Sequence, residues 1–487
     1  MSENIKFKFP LVVLTILVSV SMLFSHPQGD DELVSIHIAD QLLSSLKTFN
    51  LKQFIIILLQ NYHPPGREII LMITFLFLDI SLFSARLITI ILYILIILKV
   101  FELSKKISKN SLLSFFVSMM LALTGIFQIQ AMVSIHGITT LLLLLLVTRF
   151  VDFQNNNLIT KKDIFYIIIL TIVGFLFSNT FLLFSAPMYL IVNYLMIKSN
   201  YDLKFILTIN VIIFLFYFTY FLFFLGIPYY LFINEKINAP VGQLYKYFFR
   251  YDNSELSLKS LIENFGITNF YTFPFLFYFL SIIGTINIFK NYKIIFFILI
   301  IYFILFNFII LVHTGQHFLT YIIITYPFGF FAINKIIKID RNKNSFYIGI
   351  CLLLLIIINW TYFFHIKSYK ELDYPNISKF NFFLDNKWLH NKKYPIDEIE
   401  LELLKIGKNK TLNLAGVEWN IYFKKKDYFY NKDVISKDYN CKELNNFYRD
   451  IEAILFKENI NYSCIKNFEN SKIINFKNSS FVIVKKK

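Results

Sequence analysis

The sequence predicts an α-helical polytopic membrane protein of about eleven transmembrane helices, followed by a small extracytoplasmic α/β domain. Three observations predict it. Hydrophobic residues are 56% of the 487 and charged residues 16%, with a mean hydropathy of +0.57, whereas a soluble globular chain carries about 25% charged residues. Apolar runs suited to crossing about 30 Å of hydrocarbon as helix recur along residues 1–364. Beyond them, over 365–487, the hydrophobicity drops. This composition excludes a disordered chain, a disulfide scaffold and an ordinary cytosolic enzyme.

In chain order the spans fall at 9–24, 85–103, 112–129, 138–151, 164–177, 181–197, 205–225, 271–289, 294–312, 318–333 and 346–363. Lys and Arg gather at alternate connections, as topology determinants do. Lys6 and Lys8 precede the first span, Lys105, Lys106 and Lys109 follow the second, and Arg149, Lys161 and Lys162 follow the fourth. Lys198 and Lys204, Lys290 and Lys293, and Lys335, Lys338, Arg341 and Lys343 continue the series, while 178–180 and 313–317 contain neither residue. The alternation places the N-terminus in the cytoplasm and the C-terminal domain outside, in a plasma or inner membrane. The first span lacks a small-residue cleavage site and is followed by acids, so it reads as an uncleaved helix.

The net charge of +16 sits mostly in those connections and in the tail, and so points to membrane topology and a solvated surface rather than to nucleic acid. The cytoplasmic connections are too short for a nucleotide-binding domain, and no Gly-rich phosphate loop occurs. Cys441 and Cys464 both lie in the tail. Their pairing is left open, because a disulfide needs Cα atoms within about 7 Å.

Three regions lie outside the membrane: 25–84, 226–270 and the tail. In the first, 33–46 is amphipathic, with Ile36, Ala39, Leu43 and Leu46 on one face, which suits a helix lying on the bilayer surface. The apolar stretch 69–78 is too short to span and reads as interfacial or re-entrant. In the tail, 377–390 and 441–458 suit helices, 411–415 a strand, and 472–476 with 480–484 a terminal hairpin.

The first outer region also holds the residues with chemical promise. It opens on Asp30-Asp31-Glu32 directly after the first span and returns to the membrane at His63-Pro64-Pro65-Gly66-Arg67-Glu68. Three carboxylates at a helix start suit capping and the helix dipole. They also suit a general base or a ligand for a hard cation where a membrane-embedded substrate meets water. Imidazole and guanidinium groups at His63, Arg67 and Arg86 offer partners for a lipid phosphate, although Arg86 alone suits a side chain snorkelling to the interface. His136, His313 and His317 lie at outer helix ends, where an imidazole is as suited to a hydrogen-bonded core position as to a ligand role.

The acidic pair Asp31-Glu32 opening a long outer loop, the His63-Pro64-Pro65 element, and Ser84-Ala85-Arg86-Leu87 starting the second span together resemble the GT-C glycosyltransferases. The likeness is to the bacterial branch related to protein O-mannosyltransferases and lipid A aminoarabinose transferases, and it covers residues 1–152 most strongly. The resemblance implies an inverting transfer of a sugar from a polyprenyl-phosphate donor to a glycan, lipid or protein acceptor on the outer face. It implies Asp31 as base, with Glu32 or Asp30 as its partner. It places His63, Arg67, Arg86 and His317 near the donor phosphate, and a divalent metal ion at Glu32, His63 and His136. The chain departs from the family in carrying His136 where many members have an acid, and Ser178-Asn179-Thr180 where related chains often have Lys. Two other classes compete: a flippase or transporter of a lipid-linked glycan, which predicts charges near the bilayer midplane and related helix pairs, and a glycan polymerase or ligase with its major outer loop late in the chain.

Overall fold

A computed structural model describes residues 3–23, 30–60, 65–123, 136–156, 159–177, 179–223, 227, 230, 275–304, 314–336, 349, 396–408, 410–413, 452–457, 471–476 and 481–486. The protein is mostly helical. Thirteen of its described helices precede the tail: α1 (Glu3–Leu23), α2 (Asp30–Lys47), α3 (Leu51–Gln60), α4 (Gly66–Phe77), α5 (Leu82–Ser108), α6 (Ser111–Ala122), α7 (His136–Asn156), α8 (Lys161–Phe177), α9 (Asn179–Lys198), α10 (Leu203–Phe221), α11 (Phe275–Asn291), α12 (Lys293–Ile304) and α13 (Thr314–Ile336). Three described stretches, Leu82–Ser108, Gly137–Gln154 and Leu203–Phe221, are long and apolar enough to cross a membrane. Helix α10 shows what covers such a helix. Its Leu207, Val211, Phe214 and Phe218 are exposed, while Ile209, Ile213 and Tyr220 are buried. Open apolar side chains on that scale require lipid as solvent, and the chain is a membrane protein.

Local signals fix where these helices start and stop. Ser81 caps α5 by accepting a hydrogen bond from the Ser84 N–H at 3.2 Å. Lys109 ends the helix in the left-handed region at φ 55°. Asn110 then starts α6 by accepting from the N–H groups of Leu112 and Leu113 at 3.0 and 3.1 Å, the usual service of a capping amide. Before α8 a capping box forms: the Thr160 N–H donates to Asp163 Oδ2 at 2.9 Å, and the Asp163 N–H donates to Thr160 Oγ1 at 3.3 Å.

The other oxygen of Asp163 accepts from Arg149 of α7, which begins a set of ion pairs at one end of the bundle. Lys8 of α1 meets Glu102 of α5 at 2.8 Å, Lys99 meets the same carboxylate at 2.5 Å, and Lys106 pairs with Asp152 of α7. Gln154 donates to the Asn291 carbonyl at the end of α11 at 2.5 Å. One end of α1, α5, α7, α8 and α11 is thus gathered together, the end that the charge alternation assigns to the cytoplasm. Asp163 is buried and serves cap and ion pair at once. Asp163→Ala is expected to cost about 2 kcal/mol, mostly from the lost cap because Arg149 is partly exposed and its pair screened. A lowered thermal midpoint of the detergent-solubilised protein would show this, and an unchanged one would remove the assignment.

Helices α11 and α13 make the tightest crossing. A Cβ at Gly284 would overlap the Thr325 carbonyl, and one at Gly329 would overlap the Leu280 carbonyl. Around this backbone contact Ser281 bonds Thr325 at 2.5 Å, Thr285 bonds Tyr321 at 2.7 Å, and Asn287 donates to the Phe328 carbonyl at 3.1 Å. Small residues at close backbone approach with hydroxyls bridging between helices are what lipid-embedded packing favours.

The tail holds a helix, α14 (Ile396–Ile406), and four strands, β1 (Thr411–Asn413), β2 (Ala453–Lys457), β3 (Ser471–Asn475) and β4 (Phe481–Lys486), in one sheet of order β1-β2-β4-β3. β1 and β2 are parallel, and β4 is antiparallel to both β2 and β3. Gly407 at φ 107° terminates α14, its N–H meeting the Leu403 carbonyl at 3.0 Å, a conformation glycine adopts without a Cβ penalty. Ile399, Leu403 and Ile406 of α14 pack on Ala453, Leu455, Phe476, Phe481 and Ile483.

Several expectations are revised. The helix expected over 441–458 gives way at 453–457 to strand β2, the register partner of both β1 and β4. A run of five mainly apolar residues has no periodicity to separate a central strand from a helix. Helix α14 was not foreseen at all. The amphipathic 33–46 segment is helical, but its apolar face does not lie on the bilayer. Ile36, Ala39, Leu42 and Leu43 are buried against α3, α4 and α5, and Leu46 is exposed. The stretch 69–78 falls mainly in α4, whose 12 residues reach about 18 Å and cannot span. The helix expected over 377–390, Cys441, Cys464, His313, most of 226–270, and 346–363 apart from Gly349 lie outside the described residues.

Candidate functional site

Helices α2, α3 and α4 fold into a small helical subdomain. Ile36, Ala39, Leu42 and Leu43 of α2, Ile57 of α3, and Leu71, Met72 and Phe75 of α4 form one core, and Ala85 of α5 closes it. The subdomain is therefore docked on the first turns of a membrane-crossing helix. Leu82 of the same turn packs against this core and also against the α14–sheet core. The α2–α4 core, the start of α5 and the tail domain thus meet at one end of the bundle.

On this body α2 begins at Asp30, so Asp30, Asp31 and Glu32 occupy its first turn rather than preceding it. Three carboxylates there complement the positive end of the helix dipole. Their side chains lie outside the described set, as do those of His136 and His317 in the first turns of α7 and α13, and His63 lies outside the described residues altogether. Among the described residues, no three His, Cys, Asp or Glu side chains group to hold a metal ion. The side chains of Glu32, His63 and His136 lie outside that set.

Arg67 and Glu68 form the first turn of α4 and take opposite surroundings. Glu68 is 2% exposed and Arg67 is half-buried. Arg86 is 1% exposed, so it does not snorkel to the interface. Ser84 and Ala85 beside it are also buried, Ser84 in the Ser81 cap and Ala85 in the subdomain core. The Ser84-Ala85-Arg86 element is in this respect a packed joint.

The Pro65-Gly66 corner has a structural task that sequence reasoning missed. A Cβ at Gly66 would overlap the Leu176 carbonyl at the end of α8 and crowd the Phe177 ring. The start of α4 thus rests directly on backbone near the end of α8, and only glycine permits that approach. Gly66→Ala is expected to destabilise the protein by about 1–3 kcal/mol through overpacking and to lower any activity that depends on the α2–α4 body. Unfolding titration of the variant in detergent checks this; a wild-type midpoint would refute it. A Pro-Gly pair at a helix start was the available signal, and it names a turn without naming what the turn touches.

A second joint at the same end links α7 and α13. Thr140 and Thr320, both buried, bond at 2.7 Å, and Thr320 is also hydrogen-bonded to the buried Tyr302 of α12. This chain of hydroxyls lies one turn inward from His136 and His317, which places the two histidine-bearing helix starts side by side. Nothing in the local sequence pairs Thr140 with a residue 180 positions away.

No protein-family model matches the chain, and no curated protein matches it. The chain is similar to solved structures of oligosaccharyltransferases from Archaeoglobus fulgidus. One in the apo form has a TM-score of 0.48 at 10% identity, covering 93% of this chain and 69% of that one. One in complex with Zn and sulfate has a TM-score of 0.49 at 13% identity, covering 93% and 68%. The archaeal oligosaccharyltransferase AglB in complex with an inhibitory peptide and a dolichol-phosphate has a TM-score of 0.47 at 12% identity, covering 98% and 74%. Likenesses at this level assign no activity to the chain.

Proposed function

We propose that this membrane protein is an inverting glycosyltransferase of the GT-C type that moves a sugar from a polyprenyl-phosphate donor to an acceptor at the outer face. The observation that carries the reading is the acidic first turn of α2, borne on a packed helical body that Ala85 fixes to the start of α5. In this reading the carboxylates of that turn meet the sugar of an amphiphilic donor where the membrane gives way to water. In this reading Asp31 removes the proton from an acceptor hydroxyl. The acceptor oxygen bonds to the anomeric carbon from the face opposite the phosphate, the carbon–phosphate-oxygen bond breaks, and the polyprenyl phosphate leaves with the electron pair. Glu32 or Asp30 orients the base. The leaving phosphate needs positive charge, for which His63, Arg67, Arg86 and His317 are candidates.

Transfer of labelled sugar from a panel of polyprenyl phosphates, in membranes with and without the protein, tests the reading. Transfer that requires the protein supports it. Movement of a labelled lipid-linked glycan across the bilayer, with no transfer from any donor, would replace it with the flippase reading.

A further inference from the structure

Helix α3 is mostly apolar, and the protein leaves one side of it open. Of its seven apolar side chains, Ile57 is buried, Phe54, Ile56, Leu58 and Leu59 are mostly covered, and Leu51 and Ile55 are exposed. Phe54 and Leu58 lean on the subdomain core beside Ile57. Leu51, Ile55 and Leu59, spaced four apart, form a second stripe turned about a third of the circle away at 100° per residue. Leu51 is 66% and Ile55 52% exposed, and Phe49 in the preceding corner is 88% exposed. Phe49 sits in the left-handed region at φ 53°, where a bulky side chain is uncommon. A helix apolar on most sides is stable only inside protein or lipid. At 10 residues α3 reaches about 15 Å, half of what a span needs.

The charges nearby have one sign. Lys47 and Lys52 flank the corner and are exposed, and no acidic residue occurs between Asp40 and Glu68. We propose that the α2–α3 corner and the outer stripe of α3 insert into the leaflet on the side where α5 begins, with Lys47 and Lys52 holding anionic phospholipid headgroups. Phe49, Leu51, Ile55 and Leu59 enter the acyl boundary, and the ammonium groups stay at headgroup level as amphipathic basic side chains do. The bilayer then anchors the subdomain at the corner, while Ala85 anchors it on α5. This does not depend on the glycosyltransferase reading, since the anchoring is read without any transfer assay.

Phe49→Trp and Ile55→Trp, made singly in the full chain and reconstituted in phosphatidylcholine bilayers with or without phosphatidylglycerol, test it. The signal of Trp360, Trp388 and Trp419 is subtracted with wild-type protein. Lipids brominated on the upper acyl carbons are expected to remove about half or more of the added emission, and more so in the anionic bilayers. The Lys47→Glu, Lys52→Glu pair should abolish the anionic enhancement. Added emission that brominated lipid leaves unquenched would overturn the insertion, whether the corner is in water or covered by a second copy of the chain. Equal quenching in neutral and anionic bilayers would overturn the headgroup assignment.

Discussion

Asp31→Asn is expected to lower labelled-sugar transfer by about 10²- to 10⁴-fold, the range lost with a general base. The amide keeps the size of the carboxylate and its place in the first turn of α2 but cannot take up a proton. The loss should fall on kcat, with little change in KM for the donor, because deprotonation of the acceptor is needed only in the transition state. Asp40→Asn, on the same helix but nine residues on, serves as the control and should retain activity. Asp30→Asn and Glu32→Gln should lie between the two if they orient the base. Full transfer by Asp31→Asn would remove the assignment, and a larger loss in Asp30→Asn or Glu32→Gln would move it to that neighbour.

The largest structural effect is expected at the α11–α13 crossing. Gly284→Val and Gly329→Val should each destabilise the protein by about 3 kcal/mol or more, the upper part of the overpacking range. At both positions the added carbon meets a main-chain carbonyl, and backbone cannot rotate aside as a side-chain tip can. The helices would have to separate, which would also part the Ser281–Thr325 and Thr285–Tyr321 hydrogen bonds. Ser281→Ala removes one of these without adding bulk and should cost only about 0.6 kcal/mol. Unfolding titrations of the three purified variants measure the ranking. A valine variant as stable as wild type would show that the crossing is not a fixed joint.

How much of this was legible in advance varies with the physics of each element. The helices of the bundle were legible because a run of apolar residues in lipid has one way to satisfy its backbone. The terminal hairpin was legible because two short apolar runs flank a polar turn, and β3 and β4 pair in that way. The strand β2 was read as helix because its five residues carry no period of their own. In the candidate site, the residues Asp30, Asp31, Glu32, Arg67 and Arg86 were picked out by charge beside a membrane. What could not be read was their surroundings: that Glu68 and Arg86 are buried, that Gly66 rests on the Leu176 carbonyl, and that Thr140 meets Thr320.

The sequence by itself determined that this is a membrane protein, where most of its helices lie, and which charges stand at their ends. Those properties follow from transfer of side chains between water and lipid, which each segment settles largely alone. Tertiary structure alone decided which face of α2 is covered by protein, where α4 touches α8, and which body carries the acidic turn. These depend on contacts between segments far apart in the chain, where a single missing Cβ or a hydroxyl on a distant helix fixes the approach. The helix α3 shows the division within ten residues: its apolar composition is plain in the sequence, and only the packed subdomain reveals that Leu51 and Ile55 are left for something other than protein to cover.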